Sequence, residues 1–164
     1  MIQRVDSFID YFDSIRRRTI QYARTIPADQ LDWSPRAGEF TCAAILRHLA
    51  AAEAMFVGAV VAGRWRYAGH DHDPADDLAA LLAQLDASHA AAMIELRTLN
   101  DAALNEPRPT LNGPAVKAWR LLMAMVEHEV HHRSQLAVYL ALMGVEPPQI
   151  YGLGVEDVIA LATG

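Results

Sequence analysis

Apolar positions recur along this chain at spacings of three and four, the mark of helices with one buried face. Val5, Phe8, Ile9, Phe12, Ile15, Thr19 and Tyr22 form one such stripe and predict a helix over about residues 3–25, closed by Pro27. Leu31 through Gly38, with Trp33-Ser34-Pro35 inside it, reads as a loop. A second helix follows over about 41–62, with Thr41 as its N-cap and Gly63 as its stop. Asp73-Pro74 pairs a capping acid with a first-turn proline and predicts a third helix from there to about 99. Asn105 to Asn112 is broken by Pro107 and Pro109 and reads as a crossing loop. Gly113-Pro114 then opens a fourth helix that runs to about 143 and ends at Gly144, with Pro147-Pro148 behind it. A short helix from Gly154 or Val155 completes the chain. No segment alternates long enough to make a strand. The expectation is an all-α fold, a four-helix bundle of up-and-down or crossed topology with a short C-terminal helix.

Composition narrows the class without changing that picture. The 164 residues are 52% apolar and rich in Ala and Leu, which suits one helical domain over 1–164. A net charge of −6 argues against nucleic acid as a partner, because neutralising phosphates takes clustered Lys and Arg. Arg16-Arg17-Arg18 is the one basic run and reads as a solvated helix face. Cys42 is the only cysteine, so no intrachain disulfide can form, and it reads as a small buried apolar residue. The amphipathic, charged N-terminus resembles neither a signal peptide nor an anchor. The longest apolar stretches are interrupted by His, Glu or Arg before membrane-spanning length. These features predict a cytoplasmic protein with a small-molecule substrate, and no membrane partner.

The histidines carry the chemistry. His70 and His72 fall in the polar run GHDHDP and are expected to be exposed, with an HDHD metal cluster as the alternative reading. His89 stands among alanines with no partner at ligand spacing. On the fourth helix, however, Glu127-His128-Glu129-Val130-His131-His132-Arg133 places imidazoles three and four residues apart, where they can converge on one ion. At about 100° per residue, Leu121, Met125, Leu136, Tyr139 and Met143 form the inner stripe. His132 lies within it and His128 at its edge, while His131 falls on the polar side. His48 sits at the inner edge of the second helix, flanked one turn away by Ala44 and Ala52. Three histidines with an open fourth position describe a catalytic rather than a structural metal site. Cys42 lies over a turn from His48 and is not assigned to it. Arg133 is expected on the bundle surface. Trp33, Trp65, Trp119 and Tyr139 serve either a pocket or the core.

His128-Glu129-Val130-His131-His132 also matches H-E-x-x-H, the zinc-peptidase signature. No histidine follows His132 to complete a metzincin site, an acidic ligand would have to come from Glu156 or Asp157, and no strand is present to line a peptide cleft. Glu129 with His132 matches half of a di-iron carboxylate site, whose other half is missing.

Three ordered stretches carry a resemblance to a known family. They are Asp32-Trp33-Ser34-Pro35 through Gly38-Glu39-Phe40-Thr41 to Ile45-Leu46-Arg47-His48-Leu49, then His128 through Leu136, and finally Gly144-Val145-Glu146-Pro147-Pro148 with Tyr151-Gly152. The chain resembles the DinB/YfiT-like superfamily of metal-binding four-helix proteins over its whole length. Ser134 stands where the family usually has Gly, a small-for-small change. The resemblance implies a three-histidine site for a divalent metal, zinc or nickel, at His48, His128 and His132, and a homodimer. It further implies thiol-dependent S-transfer onto small electrophiles, with a low-molecular-weight thiol such as mycothiol or bacillithiol. Metal-dependent hydrolysis and a non-catalytic metal bundle for sensing, storage or structure are the alternatives. Glu129 and Gln135 are the candidates for catalytic, substrate or outer contacts around the ligands.

Overall fold

A computed structural model describes residues 2–71 and 77–162. Five helices account for most of it: α1 (Val5–Thr25), α2 (Cys42–Ala62), α3 (Leu78–Leu96), α4 (Ala118–Leu142) and α5 (Val155–Ala162). The stop and start signals act through specific hydrogen bonds. The Thr41 hydroxyl accepts from the Ala44 N–H, a cap that contributes about 1 kcal/mol. Gly63 takes the left-handed conformation (φ 66°) at the end of α2, where a side chain would be strained. At the end of α4 the Gly144 and Val145 N–H groups donate back to Ala141 and Leu140 carbonyls, closing the last turn.

Two boundaries differ from expectation. Helix α3 begins at Leu78, where the Asp77 carboxylate accepts from the Ala80 N–H, and the Asp73-Pro74 start signal lies outside the described residues. Helix α4 begins at Ala118 rather than at Gly113-Pro114. Val116–Lys117 is drawn instead into a two-residue antiparallel ladder with Pro107–Arg108. A ladder this short leaves no alternating pattern to detect. Arg108 Nε donates to the Val60 carbonyl at 2.6 Å and Trp65 Nε1 to the Pro109 carbonyl at 2.8 Å, which fastens this turn onto the end of α2.

The four long helices pack in the ring α1–α3–α2–α4, so consecutive α1 and α2 lie diagonally and the topology is crossed. Helix α2 is long and apolar enough to cross a membrane, against the expectation from its interrupting polar residues, but 61% of that window is buried inside the bundle. The apolar interior comes in two halves. Phe8, Phe12, Val57, Leu96, Leu122 and Met125 centre one, and Ile20, Ile45, Leu49, Leu85, Leu136 and Leu140 centre the other. Between them each helix inserts a polar side chain: Arg16 from α1, Glu53 from α2, His89 from α3 and Glu129 from α4. Helix α5 buries none of its residues, and Val155, Val158, Ile159 and Leu161 are exposed.

Candidate metal centre

The mid-bundle level where the two cores meet also carries the three histidines. His48 projects from α2 toward its neighbour α4, which supplies His128 and His132 from successive turns. One ring nitrogen from each of the three lies within 4.8 Å of the others, and His48 Nε2 is 2.9 Å from His128 Nε2. Two imidazole nitrogens facing at that distance, with the third alongside, leave a concentrated set of lone pairs and no carboxylate within the group.

Burial lowers the pKa of all three. His48 is brought down to about 4 and His128 to about 3, with the neighbouring imidazoles adding to the effect. His132 is lowered for the same leading reason, partly opposed by its hydrogen bond to Gln135. The rings are therefore neutral at physiological pH, the form in which imidazole ligates a metal.

The outer nitrogens are tied down. His132 Nδ1 donates to Gln135 Oε1 at 3.0 Å, Gln135 Nε2 donates to the Tyr139 hydroxyl at 3.0 Å, and that hydroxyl donates to the Phe40 carbonyl at 3.1 Å. This chain leaves His132 Nε2 without a proton and aimed at the group. Gln135 thus touches a histidine directly. A three-imidazole donor set, with the His132 proton directed outward to Gln135, fits a borderline divalent transition metal, and the residues present could hold one.

Glu129 is placed elsewhere. It is buried on the next face of α4, where its carboxylate pairs with Arg16 Nη2 at 3.2 Å. Burial raises its pKa above the usual carboxylate range, against the pull of Arg16. Its carboxylate is paired with Arg16 of α1 and is not part of the group that His48, His128 and His132 form, so the H-E-x-x-H and E-x-x-H readings lack their acidic member in that group. Arg16 itself is buried, not solvated, and donates to Glu53 at 2.6 Å. Arg133 is buried too, because α4 is packed by α1 on one flank and α2 on the other. His89 does have partners: Glu53 at 2.7 Å and Asp13 at 2.9 Å. His131 is exposed, as its angular position implies. Cys42 is buried, and burial pushes its thiol up to about 11.

Sequence reasoning missed two residues at the centre. Tyr67 and His70, from the chain between α2 and α3, reach back over His48. The Tyr67 hydroxyl lies 2.7 Å from His48 Nδ1 and 2.5 Å from His70 Nδ1. His70 is half-buried rather than exposed, its ring centroid 4.6 Å from Phe40. His72 lies outside the described residues. No periodicity marks such a segment, and only the GHDHDP run hinted at chemistry there. Phe40 and Phe56 flank the histidine group, 5.2 Å from His48 and 5.7 Å from His128, with Trp65 packed on Phe56. Trp33 packs edge-on against Tyr139 in the second core.

The model of the DinB family matches residues 1–160, and the chain belongs to that family. Solved structures agree on the fold. A DinB-like protein from Bacillus cereus is 17% identical and superposes with a TM-score of 0.78, over 92% of this chain and all of that one (100%). YfiT from Bacillus subtilis, described as a probable metal-dependent hydrolase with an unusual four-helix bundle topology, is 20% identical with a TM-score of 0.67, over 87% and 89% of the two chains. A mycothiol-dependent maleylpyruvate isomerase is 17% identical with a TM-score of 0.57, over 80% of this chain and 60% of its own. No curated protein matches the sequence.

Proposed function

We infer that this chain binds one divalent transition metal, zinc or nickel, through His48, His128 and His132, and uses it to act on a small-molecule substrate. The single observation that carries the reading is the convergence of three neutral imidazoles whose ligand nitrogens lie within 4.8 Å of one another. A bound ion there would lower the pKa of a thiol or water beside it and hold the resulting anion as a nucleophile. The chain's own contribution is to keep three rings unprotonated, to orient His132 through Gln135 and to wall the group with Phe40 and Phe56.

The finer reading is thiol-dependent S-transfer onto small electrophiles, supported by the likeness to a mycothiol-dependent isomerase. Metal-dependent hydrolysis is the second reading, favoured by the likeness to YfiT. The family resemblance adds a cytoplasmic homodimer, a state that light scattering reads directly. A bundle that holds metal without catalysis is the remaining rival.

Elemental analysis of tag-free protein, prepared without metal-affinity resin, tests the first step. About one ion per chain, absent from His48→Ala and His132→Ala, is the expected result. No metal in the wild type after incubation with each ion would reduce the group to three core histidines. A screen of mycothiol, bacillithiol, coenzyme A and glutathione against monochlorobimane then separates the readings. Conjugation lost in His48→Ala supports S-transfer, and its absence with every thiol supports the rivals.

A further inference from the structure

We propose that Tyr67 is a positioning residue for His48, and that His70 sets the direction in which its hydroxyl points. The proposal rests on the metal reading above. Both residues come from the segment leaving α2, which turns at Gly63 and again at Gly69 (φ 94°). Two anchors hold that segment on the site: Trp65 Nε1 donates to the Pro109 carbonyl, and Arg47 Nε donates to the His70 carbonyl at 3.1 Å.

Each neutral imidazole carries one N–H, and His48 Nε2 faces His128 Nε2 at 2.9 Å. If the His48 proton sat on Nε2, it would occupy the space between the two ligand atoms. For both Nε2 atoms to ligate one ion, the His48 proton must sit on Nδ1, where it needs an acceptor. The Tyr67 oxygen is that acceptor, 2.7 Å away. A hydroxyl has a single hydrogen, and an oxygen that accepts from His48 needs somewhere else to donate. His70 Nδ1 is that second partner. Every proton in the relay then runs outward, from His48 to Tyr67 to His70, and Nε2 is left bare toward the group. Gln135 does the equivalent for His132 from within α4, so two of the three histidines are set by outer partners, one from a helix and one from a connector.

Tyr67 is 39% exposed, so its removal need not disturb the core. The test is an equilibrium titration of metal-stripped protein with Co(II), following the ligand-field absorption. Tyr67→Phe should bind Co(II) about tenfold to a hundredfold more weakly than wild type, the usual cost of losing an outer partner of a metal-bound histidine. His70→Ala should weaken binding as well. His70→Asn, whose side-chain oxygen can stand where Nδ1 stood, should restore most of the loss. The double variant Tyr67→Phe/His70→Ala should be no weaker than Tyr67→Phe alone, because His70 acts only through Tyr67. Unchanged affinity in Tyr67→Phe, or a double variant whose losses simply add, overturns the proposal while leaving the metal site standing. Failure of the wild type to bind Co(II) removes the metal reading and this proposal with it. Should Tyr67→Phe not fold, the His70→Ala and His70→Asn pair decides alone, and equal affinity in the two overturns the relay.

Discussion

Helix α4 carries two polar groups at one level of the bundle, and they behave in opposite ways. On the flank facing α2, His128 and His132 meet His48 with no carboxylate in the group, and burial holds all three rings neutral. On the face toward α1, Glu129 meets Arg16, which continues through Glu53 to His89 and Asp13. There burial would lower His89, yet the two carboxylates outweigh it and raise the pKa. The same side chain is thus biased toward its neutral form in one setting and toward its protonated form in the other. Proximity to a carboxylate decides which, since it stabilises the proton that desolvation would otherwise expel.

The contrast yields graded tests. The largest expected effect is in the charged layer. Glu53→Ala would leave Arg16 with Glu129 alone and His89 with Asp13 alone, and loss of one partner from a buried ion pair costs about 3–5 kcal/mol. Urea denaturation of metal-free protein should register that loss, while the variant that remains folded keeps its metal stoichiometry. Loss of metal in the folded fraction would mean the two groups are coupled rather than independent.

Gln135→Leu acts on the other side. It removes the acceptor for His132 Nδ1–H, and metal affinity should fall about tenfold to a hundredfold. Stability of the metal-free protein should change far less, since Gln135 lies at the edge of the core. Equal affinity in Gln135→Leu would show that His132 holds its orientation without help.

A smaller signature lies in the pH dependence of metal-free stability. His48, His128 and His132 have folded pKa values below the unfolded 6.5, so below that pH the unfolded chain takes up protons the folded one refuses. Their effect is a loss of stability as pH falls from 6.5 toward about 4 for His48 and about 3 for His128. His89 works the other way. Its raised pKa stabilises the fold below 6.5, a contribution lost as pH rises through the folded value. His128→Ala should therefore flatten the acid limb of a stability–pH curve and His89→Gln the alkaline limb. Both limbs unchanged would sink the contrast between the two groups.

The sequence by itself determined the helices, the Thr41 cap, the Gly63 and Gly144 stops, and which faces of α2 and α4 turn inward, but not where α3 and α4 begin. Those features follow from local chemistry and a 3.6-residue period, and they suffice to bring His48, His128 and His132 forward while leaving His131 outside. Only the tertiary structure decided the rest. Which helix packs against which is not periodic information, so the diagonal placement of α1 and α2 was not legible. Neither was the burial of Arg16, whose partners lie 37 residues away in Glu53 and on α4 in Glu129. Glu129 next to His128 invited a shared role, but a 100° step around α4 hands one to α1 and the other to α2. Tyr67 and His70 reach the site from a connector with no pattern of its own, held by an Arg47 N–H and a Trp65 N–H that act across the fold. Local propensity sets where a helix begins and ends. Whether a buried polar side chain becomes a ligand, an ion pair or a brace depends on which neighbours packing brings to it.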